Sequence, residues 1–522
     1  MKLATDQAAM SSVVPSSLRG AKHLTQAAVA CLLGVAPATP AQTILQNFPG
    51  LSLSATGPLN GGSYAPPDTD GAIGNNEFVE FINGGYAVYN KTGGAPVAFT
   101  TDRQFWLNAG VSSTLVNEGV SDPRVKWDAA SQRWFASEIT LGGTGGLNNS
   151  VLVGVSNTAN PLDGWKATSY NVSGATRFTD YDTLGVDGNA VYIGSNDFDA
   201  VNFLGVTLSS IPKSSLLAAT PTTTGMATFT QTSASPTMGS TPQGVSNGGT
   251  GGTGGMILAV STLPVKQVIL TPINNTASAG ATLGTSQTIG VAYDGNNTSA
   301  RQPVGSRIID TLDHRVSGTV YQVGNRIYAA NAFNNGNQGG VGAAGFNSVR
   351  WLVLDATTGT VLQEGLLQDG SHDYWQPSIA ANPIGDVVIG YNKSGLDMNI
   401  SSFAAVGHTV GGVLTFDSDL LLATSTVNNY SDGLGTPSRW GDYSATMVDP
   451  TDPNMFWTIQ EVATGTHTWG TQITAISIPE PANGGWLLAG FATAGLITRR
   501  RRSAKQAVSV AMRAGPEIGV KP

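Results

Sequence analysis

One unit recurs seven times along this chain, and the repetition constrains the fold more than any single motif does. Each copy opens on a polar residue, runs through a short apolar stretch to an Asp or Asn turn, and then starts a second β-rich stretch. Residues 70–75 precede 78–81, residues 122–128 precede 133–136, and residues 182–187 precede 191–194. Residues 243–247, 313–325, 373–382 and 442–449 stand in the same relation to 256–260, 327–329, 387–390 and 455–458. The starts at 70, 122, 182, 243, 313, 373 and 442 lie 52, 60, 61, 70, 60 and 69 residues apart. An interval of that length holds four strands of about five residues with their turns, the content of one propeller blade, and propellers have about four to eight blades. The pattern therefore predicts an all-β chain, a seven-bladed β-propeller over residues 42–477. A two-domain β-sandwich is the competing architecture.

A propeller avoids open strand edges by pairing its last blade with material from both chain ends. Residues 471–476 alternate polar with apolar side chains and supply a late strand, and residues 45–55 supply another to the same blade. Two tracts rich in Gly, Ser and Thr, 220–255 and 276–306, read as long surface loops that carry no core. Residues 214–219 are the best candidate for a helical turn, and no long amphipathic helix is predicted.

Composition narrows the class. Only 11% of residues are charged and 66 are glycine, which suits a turn-rich extracellular β protein, while 40% hydrophobic side chains supply a large core. The net charge of -8, with no basic stripe, argues against nucleic acid as a partner. The single cysteine, Cys31, precedes the body of the chain, so the fold is expected to lack disulfides and thiolate chemistry and to be monomeric.

Both ends carry targeting signals. Arg19 and Lys22 precede the apolar residues 27–35, and Pro37, Ala38, Pro40 and Ala41 follow, so residues 1–41 read as a secretory signal peptide cut near Ala41. At the other end Pro479, Glu480 and Pro481 lead to the apolar run 486–497, which stops at Arg499, Arg500, Arg501 and Arg502. Residues 484–498 carry no charge, and about 15 helical residues span about 22 Å against a hydrocarbon core of about 30 Å, a marginal transmembrane helix. The arginines place its end in the cytoplasm and the body outside. In this order the parts resemble the PEP-CTERM sorting signal, here residues 478–502. The resemblance implies an exosortase as partner, a membrane anchor that gives way to a cell-surface or extracellular location, and an association with exopolysaccharide. The polar tail 503–522 departs from that family, which ends soon after its arginines. An ordinary C-terminal anchor is the other reading.

The body is similar to bacterial extracellular propellers in the phrases at 66–71, 122–124, 161–165 and 439–443. That resemblance implies the fold and a location outside the cytoplasm, and brings no catalytic residue.

If the unit starts face one end of a central channel, Asp70, Asp122, Asp182, Asp313, Asp373 and Asp442 form a carboxylate ring, with Asp68, Asp180, His314 and His372 beside it. Such a ring could hold Ca²⁺, the one candidate cofactor. It could instead bind sugar hydroxyls against Tyr181, Tyr374, Trp375, Trp440 and Tyr443. Each Asp could equally hydrogen-bond its own backbone and fix a turn. Asp68 and Asp70 resemble part of an EF-type loop, but the twelfth position is Val79 where that loop needs a glutamate. Arg124, Arg315 and Arg439 could line the same mouth or serve as strand-end ion pairs. No zinc-protease, nucleophile-elbow or phosphate-loop motif occurs. The sequence thus favours a surface or matrix binding protein over an enzyme. The alternative is a polysaccharide-acting hydrolase or lyase, decided by the separation of two carboxylates.

Overall fold

A computed structural model describes residues 42–479 except 63, 143–145, 173, 236, 249–253, 262–265, 335 and 337–344. The signal peptide and the sorting segment from Glu480 onward lie outside the described residues. Among those described, no helix is long and apolar enough to cross a membrane.

The second strand of a unit is sandwiched between neighbouring sheets, and that is why these stretches are rich in apolar residues: Phe78, Val79, Phe81 and Ile82 are fully buried around a buried Glu80, as are Val387, Val388 and Ile389. The first sheet runs Asp70–Ile73, Glu77–Ile82, Gly85–Asn90 and Ala98–Thr100 in chain order, the second Val120–Asp128, Arg133–Thr140, Val151–Ser156 and Trp165–Tyr170. Six hydrogen-bonded sheets form among the described residues, one of them nine-stranded. The nine-stranded sheet is two antiparallel groups that meet only where Val245 and Ser246 pair in parallel with Val320 and Tyr321. Five sheets and these two halves make seven antiparallel groups.

The first strands of these groups touch in a closed cycle. Asp70–Ile73 meets Val120–Asp128, which meets Gly185–Val186, and the series continues through Ser240–Ser246, Val320–Val323, Asp373–Ala381 and Ala445–Asp449 back to Asp70–Ile73. A cycle of antiparallel sheets about one axis is the propeller arrangement, and it excludes the two-domain sandwich; residues 40–481 form one compact unit. Six of the seven predicted starts lie within, or a few residues ahead of, these strands. Asp313 precedes Val320–Val323 by a longer path.

Closure joins the chain ends. Thr43–Ser52 pairs antiparallel with Thr468–Ser477, Phe48 opposite Ile473, and so supplies the outer strand of the last sheet. Phe48 and Tyr89 lie with ring centroids 5.5 Å apart, and Phe78 meets Trp457 at 5.7 Å. The first and last sheets thus share one apolar cluster.

The two Gly/Ser/Thr tracts are not coreless loops. The first contains the strands Ala227–Thr232 and Ser240–Ser246, and the second contains Thr282–Leu283 and Gln287–Gly290. Ala300 is fully buried with Ile309 against Trp375, Tyr430 and Trp440. The glycines there permit close approach: a Cβ on Gly185 would lie 2.4 Å from the Gly244 carbonyl oxygen, so two inner strands touch backbone to backbone. The helical turn forms at Lys213–Leu216, and three short helices that the sequence did not suggest, Leu53–Asn60, Asp102–Asn108 and Ser113–Val116, join it.

Phe48→Ala removes a ring from the closing seam and should lower unfolding free energy by about 3–5 kcal/mol in urea titrations. Deleting residues 43–52 should leave Thr468–Ser477 as a bare edge and yield aggregated protein in size-exclusion chromatography.

Candidate functional site

At one end of the channel each group carries a residue with positive φ: Asp68 (48°), Asp122 (65°), Tyr181 (55°), Thr241 (52°), Leu312 (59°), Gln376 (49°) and Gly441 (129°). Six of the seven are not glycine, so each holds a conformation costing about 1 kcal/mol or more that the surroundings must offset. In three groups the residue is a bulge followed by proline, at Asp122-Pro123, Thr241-Pro242 and Gln376-Pro377. The sequence reading missed these kinks. The signal was present, because proline inside a strand marks a bulge or an edge.

Hydrogen bonds between sheets run through these residues. The Asp442 N–H donates to Asp68 Oδ1 (2.7 Å), and Asn83 Nδ2 donates to Asp68 Oδ2 (2.7 Å). Asp122 N–H donates to Asn83 Oδ1 (3.0 Å), Tyr181 N–H to Asp122 Oδ2 (2.9 Å), and the Tyr181 hydroxyl to the Asp442 carbonyl (3.2 Å). The circuit thus passes from the last sheet to the first, second and third and returns. Asp68 and Asp122 accept from N–H groups of neighbouring sheets, not from the backbone of their own turns.

Arg124 lies across the axis. Its Nε donates to the Asp182 carbonyl (3.0 Å), its Nη1 to the Ser317 carbonyl (3.2 Å), and its Cζ stands 3.2 Å from the Tyr443 ring centroid. Arg315 covers the Tyr181 ring at 4.3 Å and binds Asp313 through two nitrogens, 2.7 and 2.8 Å. Arg439 pairs with Asp442 and lies 3.9 Å from Asp310. All three arginines are brought to this mouth.

Carboxylates that share a buried site resist ionising together. Burial, then the Asp442 and Asp122 charges, pushes Asp68 well above the usual range. Burial and Asp442 raise Asp122 in the same way. Burial with the Asp122 and Asp442 charges pushes Asp180 up to about 7. Burial pushes Asp182 up to about 8, against a hydrogen bond from the Ser137 hydroxyl and with help from Asp122. Glu461, which the sequence reading passed over, is 2% exposed, and burial with the Asp68 charge raises it well above its ordinary value.

Other members of the predicted ring go elsewhere. Asp70 faces Lys126 (3.1 Å) and accepts from Val125 N–H (3.3 Å), inside the channel. Asp373 accepts from Arg301 (3.1 Å) and from Asn347 N–H (2.9 Å). Asp313 stays at the rim of the mouth, held by the largely buried Arg315. His372 stands between Asp369 (2.6 Å) and Asp397 (3.1 Å), and His314 binds Asp294 (2.9 Å). Trp375 and Trp440 are buried in an apolar cluster, 6.4 Å apart, so neither offers a face to a ligand, and Tyr374 stacks on Tyr391 at 5.3 Å. Asp68 and Asp70 have different partners. No group of three or more His, Cys, Asp or Glu among the described residues is arranged to hold a metal ion.

No protein-family model and no curated protein matches the chain. Among solved structures it is similar to an α-L-arabinanase of Penicillium chrysogenum complexed with arabinobiose, at TM-score 0.39 and 9% identity over 84% of this chain and 99% of that one. An α-L-arabinofuranosidase from Fusarium graminearum bound to an iminosugar inhibitor gives TM-score 0.36 and 9% identity over 80% and 94%. The Dos1 propeller gives 0.37 and 7% over 84% and 95%. Likeness at this level carries no site residue from those proteins to this one.

Asp180 and Asp182 bind their protons more tightly folded than unfolded. Their contribution to stability is therefore complete below about pH 4 and is lost as pH rises through about 7 and 8. At about 1.4 kcal/mol per pKa unit, wild-type stability in urea should fall by several kcal/mol, up to about 7, between pH 5 and pH 8.5, and Asp182→Asn should flatten that slope.

Proposed function

We propose that this chain is an exported seven-bladed propeller that binds extracellular polysaccharide at the carboxylate and arginine mouth. One observation carries the reading. Asp313, Arg315, Gln376 and Asp442 supply acceptors and donors around a crevice of about 10 Å³, room for about one water, and the buried Gln376 amide nitrogen has no partner. Mixed donors and acceptors suit a polyhydroxylated ligand, whose hydroxyls do both. Export, sorting by an exosortase, and transient anchoring by residues 484–498 rest on the sequence signals at the two ends.

A second reading, polysaccharide hydrolysis, is favoured by Asp180. A half-buried carboxyl that burial and the Asp122 and Asp442 charges push up to about 7 meets the requirement for a general acid.

Glycan-array binding followed by reducing-end release separates the two. Arg439→Ala should weaken binding about tenfold, the worth of one charge-assisted hydrogen bond, and an unchanged affinity removes the mouth from the binding site. If the protein hydrolyses its ligand, Asp180→Asn should abolish release while leaving affinity within about twofold; absence of release by wild type leaves binding alone. Intact-mass measurement on surface protein should show loss of the segment after Pro481, and recovery of the chain through Pro522 would overturn the sorting proposal.

A further inference from the structure

The other end of the channel differs from the mouth in every chemical respect. It holds a cavity of about 600 Å³, within the range of small-molecule sites. Ile73, Trp127, Val186, Ser246, Val323, Ala381 and Met447 line it, one from each strand group. Three charged residues border the space, and each is neutralised by its own partner: Lys126 by Asp70 (3.1 Å), Asp128 by Lys213 (2.8 Å), and Asp449 by Lys91 (2.7 Å). Two other polar side chains there are partly engaged. The Gln322 amide donates to the Gly324 carbonyl (3.0 Å), and the Ser246 hydroxyl accepts from Val186 N–H (3.2 Å).

Such a wall selects its ligand by exclusion. A charged molecule would lose its hydration and find no unpaired counter-charge, and a sugar would bury more hydroxyls than the few polar groups of this wall can receive. An apolar body gains about 25 cal/mol for each Å² it removes from water. Few donors remain unspent: the Trp127 indole N–H has no partner, and Lys126 keeps one. Two contacts from the Lys126 ammonium go to the Asp70 oxygens, at 3.1 and 3.3 Å, which leaves one of its three donors to serve a ligand. Lys126 lies two residues beyond Arg124 on the same strand, about 7 Å along it, so Arg124 stands between this cavity and the carboxylate mouth.

We infer that this cavity is a second binding site, for a small, neutral, mainly apolar organic molecule that places one acceptor oxygen against Lys126. The site is independent of the polysaccharide reading, because none of the mouth residues lines it.

Titrating the full-length chain with N-phenyl-1-naphthylamine, a neutral apolar fluorophore, should give a saturable component of one probe per chain. The anionic analogue 1-anilinonaphthalene-8-sulfonate should bind that component at least tenfold more weakly. Val323 is half-buried on the wall, so Val323→Trp narrows the cavity and should weaken the component tenfold or more, leaving whatever the C-terminal apolar run binds as common background. Val323→Lys, whose long side chain can reach solvent, should weaken it tenfold or more even if the tryptophan variant fails to fold. A crystal of wild type soaked with the neutral probe should show it against Ile73 and Val323. Binding that is unsaturable, equal for the two probes or unchanged by the folded variants overturns the inference, as does a soaked crystal with the probe elsewhere.

Discussion

A guanidinium held on the axis of the molecule is the interaction on which the remaining architecture turns. Arg124 is 3% exposed, and the charge it carries would be costly there without acceptors and ring faces arranged to receive it. The receivers come from far apart in the chain. They are the carbonyls of Asp182 and Ser317 and the ring of Tyr443, whose hydroxyl in turn donates to the Pro123 carbonyl at 2.9 Å. Four strand groups are thereby tied at one point. A ring of sheets packed only by apolar side chains could slide or open; directional bonds at its centre fix the angle between sheets, because a misplaced carbonyl would leave a buried donor unmet.

The carboxylates around that arginine do structural and chemical work with the same atoms. Asp68 and Asp122 hold N–H groups of adjacent sheets, which draws them into one crowded, poorly solvated space. Crowding then makes ionisation costly and lifts their proton affinities together with those of Asp180 and Asp182. Perturbed carboxyls of this kind accompany ligand sites and catalytic sites, and they also arise from closure alone. The arginines decide how much of the repulsion is relieved: Arg439 sits against Asp442 and Arg315 against Asp313, so the rim is balanced while the interior stays strained.

The left-handed residues explain how seven short strands can begin at one mouth. A positive φ at Asp122, Thr241 or Gln376 re-aims the chain just before it enters the inner strand, and the following proline gives up an N–H that the bulge would leave without a ladder partner. Each such residue stores strain, and bonds such as Tyr181 N–H to Asp122 offset it.

The repeat of strand, turn and strand was legible in the sequence because it is local: an apolar run followed by an Asp or Asn turn reports on neighbours within about ten residues. Closure by residues near 45–55 and 471–476 was legible too, since an open edge must be covered by whatever alternating strands remain at the ends. Burial of the tracts 220–255 and 276–306 was not, because glycine, serine and threonine form loops and tightly apposed inner strands with equal ease, and only the neighbour decides, as Gly244 does for Gly185. Nor could sequence tell which acids meet. Asp68 joins Asp442 across 374 positions, whereas Asp70, two residues from Asp68, turns to Lys126. Which acids converge is set by the rotation of each sheet about the common axis, and that rotation exists only once all the sheets have packed.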